Sequence, residues 1–330
     1  MFKKSLFALL LGFSALGAFA AERSVVAFYN VENMFDHIDD PHTNDAEYTP
    51  NGKNRWTEAK SNSKILKISE VIQKMFLPDV IGLAEVENAY VLDKLIKQPA
   101  IIDAKYSYVH FDSPDERGID VALMYKTSAF SVISSKVITV DISEYSNRPT
   151  RDILHVEGNL RGERVHILVN HWSSRSGGQV ATNPHRAVAA KTAKVIIDEI
   201  NQADPSSKVI LMGDLNDNPT DASLVRHLGA KNIKTSLVAN ELFNPYFSLF
   251  KNGYGSNAYQ DVWSNFDQIL ISNNFLINQT GWNFIKGEVF NRSFLLEQSG
   301  KYKGYPLRTT NSTGTTGYSD HLPAFITLER

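Results

Sequence analysis

Runs of apolar residues that stop abruptly on single polar side chains punctuate this chain. Val209–Met212 is unbroken apolar sequence and predicts a buried strand. Gly213 then frees the backbone, and Asp214, Asn216, Asp217 and Asn218 arrive together before Pro219. Four other runs behave alike. Ser24–Asn30 predicts a strand ending on Asn30, and Val80–Ala84 one that delivers Glu85. Val165–Val169 opens onto Asn170-His171, and Leu322–Leu328 is a closing strand preceded by Ser319-Asp320-His321. Phe266–Ser272 adds a strand with Asp267 near its start. Polar groups at the ends of buried strands gather along one sheet edge, where open α/β sheets build their sites.

The intervening segments complete an α/β pattern. From Asn62, the residues Ile65, Ile68, Val71, Ile72 and Met75 recur at helical spacing until Pro78 stops them. Ala89–Lys97 predicts a short helix, as does the stretch near Ala222–Leu228. A long helix runs to about Asn201, with Pro184 placed in its first turn. Tyr106–Phe111, Ile119–Tyr125, Phe130–Val140 and Ile153–Leu160 follow one another as strands, which implies antiparallel pairing. Residues 229–264 and 299–318 read mostly as loop. With neither a short repeat nor a Pro/Ser linker, residues 21–330 are expected to form one domain.

The first twenty residues are set apart from this pattern. Lys3 and Lys4 precede the apolar run Leu6–Ala15, and Ala18-Phe19-Ala20 supplies a small-x-small cleavage pattern. This predicts a signal peptide cut before Ala21, hence export to the periplasm or beyond. The run is too short to span a bilayer comfortably and no second one follows, so no stable membrane association is expected. Losing Lys3 and Lys4 leaves 32 basic against 36 acidic residues, a net charge of about −4. No global positive field therefore gathers a polyanion, and any contact with nucleic acid must be local. The absence of cysteine excludes disulfides, thiolate metal sites and cysteine nucleophiles.

Carboxylates and amides without cysteine favour a hard cation, Mg²⁺ or Mn²⁺, held through oxygen. Glu85, ending a buried strand, is the leading ligand candidate, and Asp320 offers a second carboxylate. His171 and His321, both at strand edges, suit phosphoryl chemistry, one assisting the attacking water and the other meeting the phosphate. The remaining seven histidines (His37, His42, His110, His155, His166, His185 and His227) have no comparable setting.

Asn30, Glu85 in Gly-Leu-Ala-Glu-Val, Asn170-His171, Gly213-Asp214-Leu215-Asn216, Asp267 in Phe-Asp-Gln-Ile-Leu and Ser319-Asp320-His321 together resemble the endonuclease/exonuclease/phosphatase superfamily. All six stand in its order and cover nearly the whole chain beyond Ala21. The resemblance implies a four-layer α/β sandwich, two mixed β-sheets packed face to face and flanked by helices, with the site at one end. It also implies divalent-metal-dependent cleavage of a phosphoester by an in-line water. In that scheme Glu85 binds the metal, with Asn30 and Asp320 nearby. Asp214 and Asn216 position or activate the water, His321 is acid or base paired with Asp267, and His171 stabilises or protonates the phosphate. Whether Asp214 or His321 is the base stays open. Arg151 resembles a phosphate-contacting arginine of the deoxyribonuclease branch, Asn170 is placed beside the substrate, and Asp120 is a loose candidate to orient His171. Glu32 stands near the metal or faces solvent, the latter preferred.

Three stretches bear on ligands. Ser173, Ser174 and Arg175, backed by Gly177-Gly178, offer donors for a phosphate. Lys301–Arg308 interleaves cations with rings, a pattern suited to tracking a polynucleotide. The acidic loop Asp36–Asp45 is a candidate host for structural Ca²⁺. The expected function is an exported non-specific nuclease acting on DNA or RNA. The rivals are a phosphatase or phospholipase-type phosphodiesterase with the same core residues, and a binding protein that has lost catalysis.

Overall fold

Strand alternation and helix periodicity resolve into two mixed six-stranded sheets in the computed structural model, which describes residues 21–238, 241–276, 281–309 and 317–330. The signal peptide expected over residues 1–20 lies outside the described residues. The first sheet holds β1 (Arg23–Met34), β2 (Val80–Val86), β3 (Tyr106–His110), β4 (Asp120–Lys126), β13 (Asn283–Val289) and β14 (Ala324–Glu329). Their order across it is β13-β14-β1-β2-β4-β3. The second holds β5 (Phe130–Ile138), β6 (Ile153–Leu160), β7 (Glu163–His171), β8 (Lys208–Asp214), β9 (Leu242–Phe243) and β12 (Asp267–Ser272). Here the order is β5-β6-β7-β8-β12-β9. A separate hairpin joins β10 (Asn257–Tyr259) to β11 (Val262–Ser264).

Each sheet contains one parallel pair, β1 with β2 and β7 with β8, each bridged by a helix. Helix α1 (Glu58–Lys74) makes the first crossover, followed by α2 (Ala89–Ile96); α3 (Gln179–Ala203) makes the second. A short α4 (Tyr246–Lys251) follows β9. Between the sheets, Phe28, Val169, Met212, Ile269 and Ile326 build a shared apolar core. On the outer face of the first sheet Ile65, Ile68 and Ile72 of α1 and Leu92 of α2 are buried, and on the second Ala190, Ala193 and Ile197 of α3. Four layers result, as the family resemblance implies. At Gly82 the sheets pack closely enough that a Cβ would lie 2.5 Å from Met212 Sδ.

Three local features depart from the sequence reading. α3 starts at Gln179, so Pro184 is its sixth residue rather than part of the first turn. Strand β13 was not anticipated, because an edge strand is exposed on part of its surface and Lys286, Gly287 and Glu288 dilute its apolar signal. The region 229–264 contains α4 and the β10–β11 hairpin in addition to loop. Among the described residues no helix is long and apolar enough to cross a membrane.

Candidate active site

The C-terminal ends of the two parallel pairs face a common edge, and bulges there turn side chains into it. β1 shifts register between Asn30 and Met34, with Glu32 and Asn33 at φ 49° and 53°. β2 shifts between Ala84 and Val86, and Glu85 itself sits at φ 63°. Left-handed backbone at non-glycine residues costs of order 1–3 kcal/mol and persists where surrounding structure enforces it. The bulge aims Glu85 at the cleft instead of along the regular pleat. Across the core, Gly213 permits β7 and β8 to close, since a Cβ there would fall 2.4 Å from the Asn170 carbonyl. That closure sets Asp214 directly beside His171 in the parallel register.

Asp214 stands at the centre. Its Oδ2 accepts from Asn30 Nδ2 at 2.9 Å and lies 3.7 Å from His171 Nε2 and 3.8 Å from His321 Nε2. Its Oδ1 accepts the Asn216 backbone N–H at 3.0 Å. Behind His321, Asp267 Oδ2 is 2.6 Å from Nδ1, so the ring presents Nε2 to the cleft. Asp267 pairs with Asp214 across β12 and β8, and its side chain is wholly buried. Ser319 Oγ donates to the Asn30 carbonyl and accepts from His321 N, tying β1 to the segment carrying the histidine.

Asn30 orients the cluster. Its Oδ1 accepts the Glu32 backbone N–H at 2.9 Å, which fixes the amide so that Nδ2 reaches Asp214 and Glu85 Oε1, the latter at 3.3 Å. Asn30 therefore serves the carboxylates as a donor rather than offering the cation an oxygen. Glu85 Oε2 accepts Asn33 N at 2.9 Å, and Oε1 is 4.0 Å from His171 Nε2. Asp320 Oδ1 lies 3.9 Å from His321 Nε2 and closes the ring of groups.

The electrostatics follow from burial among acids. Burial pulls His321 down, but the Asp267, Asp214 and Asp320 charges overcome it and hold the imidazole well above its ordinary value. Burial, reinforced by the Arg151 and Arg117 charges, pushes His171 well below its own. Burial lifts Asp214 to about 6 against the pull of the His321 charge. The two rings flanking this carboxylate are thus shifted in opposite directions. The donor set fits a divalent cation: Glu85, Asp214 and Asp320 bring hard oxygen atoms to one mouth with more negative charge than nearby arginine balances.

Other sequence candidates support this cluster without touching the cleft. Arg151 is buried, donating Nε to the His171 carbonyl, NH2 to the Trp172 carbonyl and NH1 to Asp115. Its guanidinium is spent on fixing the end of β7, so the expected phosphate contact is not formed by this arrangement. Asn170 bonds Leu168 O, Met212 O and Trp172 Nε1 inside the sheet, which accounts for its type without a substrate. Asn216, at φ 49°, donates Nδ2 to the Trp172 carbonyl. Arg175 pairs with Asp217 and Asp221 and covers the Phe266 ring, while Ser174 stands exposed. Asp120 does not orient His171: its Oδ2 is 2.9 Å from His110 Nε2 and its Oδ1 accepts Ser113 N. The cause is topological, since Asp120 sits in the first sheet opposite Val86 while His171 ends β7 in the second.

Glu32 is buried, not solvated. Its carboxylate accepts Arg308 Nε, Thr309 N and Asp320 N. Lys64, also buried, reaches Thr309 Oγ1 and the Tyr318 carbonyl, and burial lowers it to about 8. Arg186 pairs with Asp217 at 2.8 Å and holds the Ser173 and Ser174 carbonyls. Glu32 and Lys64 carried no local sequence signal, because these partners lie hundreds of residues away along the chain. The Asp36–Asp45 loop closes turns on itself, Asp36 Oδ1 taking Ile38 N and Asp40 Oδ1 taking His42 N. Among the described residues, the acid–imidazole groups whose ligand atoms lie within 4.8 Å are Asp214-Asp267-His321 and His110-Asp112-Asp120.

Residues 25–330 match the Endonuclease/Exonuclease/phosphatase family, and the chain belongs to it. The members of that superfamily are metal-dependent phosphoric ester hydrolases. No match was found among curated protein sequences. The fold is similar to TDP2 of D. rerio complexed with a single strand DNA product, at 16% identity and TM-score 0.55 over 93% of this chain and 98% of that one. It is also similar to a mannosyl-6-phosphatase of Bacteroides thetaiotaomicron, with 16% identity and TM-score 0.55 over 92% and 99% of the two chains. An endonuclease/exonuclease/phosphatase family protein of the same bacterium has 16% identity and TM-score 0.57 over 94% and 98%.

Proposed function

We propose that this protein is an exported, divalent-metal-dependent phosphodiesterase acting on nucleic acid. One observation carries the reading: Asp214 Oδ2 is flanked at 3.7 and 3.8 Å by the Nε2 atoms of two histidines, with Asp267 braced behind one of them. Glu85 and Asp320 would hold Mg²⁺ or Mn²⁺, which when bound neutralises charge on the phosphoryl oxygens. Asp214, steered by Asn30 Nδ2 and Asn216 N, is placed to take the proton of an attacking water. Its two-sided fixation favours it over His321 as base. His321 then serves as the donor to the phosphoryl group or leaving oxygen, its tautomer set by Asp267. His171, held in place by Arg151 through its carbonyl, donates to a non-bridging oxygen.

Polynucleotide is the favoured substrate because the site opens beside exposed rings and cations. The β10–β11 hairpin joins the site through Asn257 Nδ2, which donates to the Asp320 carbonyl, and carries Tyr259 72% exposed. Tyr305 OH bonds Asp261 of that hairpin and its ring lies 5.6 Å from Tyr302, which Lys301 flanks. Rings and cations in one lane suit stacked bases and phosphates. The likeness to TDP2 bound to single strand DNA agrees with this, and the likeness to a mannosyl-6-phosphatase supports a phosphomonoester as the second reading. The N-terminal pattern of residues 1–20 supports export. Supercoiled plasmid incubated with the protein and Mg²⁺ or Mn²⁺ is expected to be nicked, and chelator to stop it. Release of phosphate from monoesters with intact plasmid would replace this reading by the second.

A further inference from the structure

Arg308 does not simply face solvent as part of the Lys301–Arg308 lane. Its side chain is 59% exposed, yet Nε lies 3.1 Å from Glu32 Oε1 and NH2 lies 3.0 Å from Asp320 Oδ2. The two partners are unlike. Glu32 is buried, 4% exposed in its side chain, and also accepts Thr309 N at 2.6 Å and Asp320 N at 3.0 Å. It cannot leave without opening three contacts. Asp320 is 26% exposed in its side chain and faces His321 Nε2 with its other oxygen. The Glu85 charge acts on Arg308 as well. One end of the guanidinium is therefore anchored and the other rests on a carboxylate of the cation pocket.

We propose that Arg308 is a built-in counter-cation of this pocket, whose NH2 holds Asp320 until a divalent ion takes over that carboxylate and then turns to the substrate phosphate while Nε stays on Glu32. The inference rests on the reading that Glu85 and Asp320 hold the divalent ion. Before the ion binds, the buried Glu32 and the Glu85 charge both act on Asp320, and a fixed guanidinium relieves this repulsion without entering the centre. Once the Asp320 charge is answered by the ion, the arginine loses its partner at the mouth. Its planar fork is then positioned for a bidentate contact with phosphate oxygens. Ion and arginine compete for one carboxylate, while arginine and substrate cooperate.

Calorimetric titration of Mn²⁺ into substrate-free protein tests this. Arg308→Gln is expected to bind Mn²⁺ about fivefold more tightly than wild type, the exposed position of the pair keeping the effect modest. Lys97→Gln, which removes an exposed charge just after α2, is expected to leave the affinity unchanged. At saturating Mn²⁺, KM of Arg308→Gln for bis(4-nitrophenyl) phosphate is expected to rise about tenfold with kcat within about threefold, the signature of a lost ground-state contact. A structure of Mn²⁺-loaded wild type is expected to show NH2 of Arg308 withdrawn from Asp320 and Nε still on Glu32. Unchanged or weaker Mn²⁺ binding by Arg308→Gln, or an arginine still paired with Asp320 in the loaded protein, overturns the inference. Absence of any Mn²⁺ binding to wild type would instead overturn the site reading on which it rests.

Discussion

Asp267 and His321 are 54 residues apart in sequence, yet Asp267 Oδ2 lies 2.6 Å from His321 Nδ1 in a buried pair. The contact fixes the orientation of the ring, and the Asp267 charge helps to raise the imidazole above its ordinary value. The second oxygen of Asp267 is buried without a hydrogen-bond partner, so the carboxylate is dedicated to the histidine.

Asp267→Asn is therefore expected to lower kcat by about two orders of magnitude, as loss of an orienting charge does in comparable constellations. The His321 imidazole is also expected to titrate at lower pH in this variant, because the raising charge is gone. Proton-detected NMR of the ring in wild type and variant checks both the direction and the cause; an unmoved titration would remove Asp267 from its assigned role.

Glu85→Gln should weaken divalent binding by roughly tenfold or more while the fold survives, since the amide keeps the size of the side chain but not its charge. Isothermal titration with Mg²⁺ and Mn²⁺ measures this. Equal affinity in the variant would place the ion elsewhere.

Gly213→Ala is expected to destabilise the protein by about 2–4 kcal/mol, because a Cβ facing the Asn170 carbonyl backbone at 2.4 Å forces β7 and β8 apart. Since Asp214 follows directly, activity should fall along with stability. Denaturant melts together with turnover test the coupling; a variant as stable as wild type would show that the strands tolerate the added methyl.

His155 and His166 form a buried pair away from the cleft, with His155 Nε2 3.1 Å from His166 Nδ1. Burial, then the His166 and Lys136 charges, pushes His155 down to about 4, and burial lowers His166 too. A histidine depressed in the folded state costs nothing while both folded and unfolded forms are neutral. Stability is then lost as pH falls from about 6.5, where the unfolded ring protonates, toward 4. Wild type is expected to lose on the order of 2 kcal/mol relative to His155→Asn across that window. Urea melts at pH 7 and pH 4.5 check the sign; equal losses in both proteins would contradict it.

The sequence made the framework legible because buried strands announce themselves in apolar runs and their polar termini stand out against them. Asn30, Glu85, His171, Asp214, Asp267 and His321 were placed at strand ends by that pattern, and they converge. What stayed hidden depends on pairing across sheets. Nothing near Glu32 reveals that the Arg308 fork and the Thr309 and Asp320 amides close over it from almost three hundred residues downstream. Arg151 reads as a surface or phosphate-facing cation until the Asp115 carboxylate and two carbonyls at the end of β7 claim its donors. The bulges at Asn30–Met34 and Glu85 likewise carry no glycine to mark them, though they decide where the carboxylate points.

Replacing Asp214 with Asn tests the central claim most directly, because the amide keeps the shape of the side chain but cannot take a proton. With bis(4-nitrophenyl) phosphate and saturating Mg²⁺, kcat/KM is expected to fall about a thousandfold, close to 4 kcal/mol of transition-state stabilisation, with an unchanged melting profile. A variant within tenfold of wild type would contradict the placement of chemistry at this carboxylate.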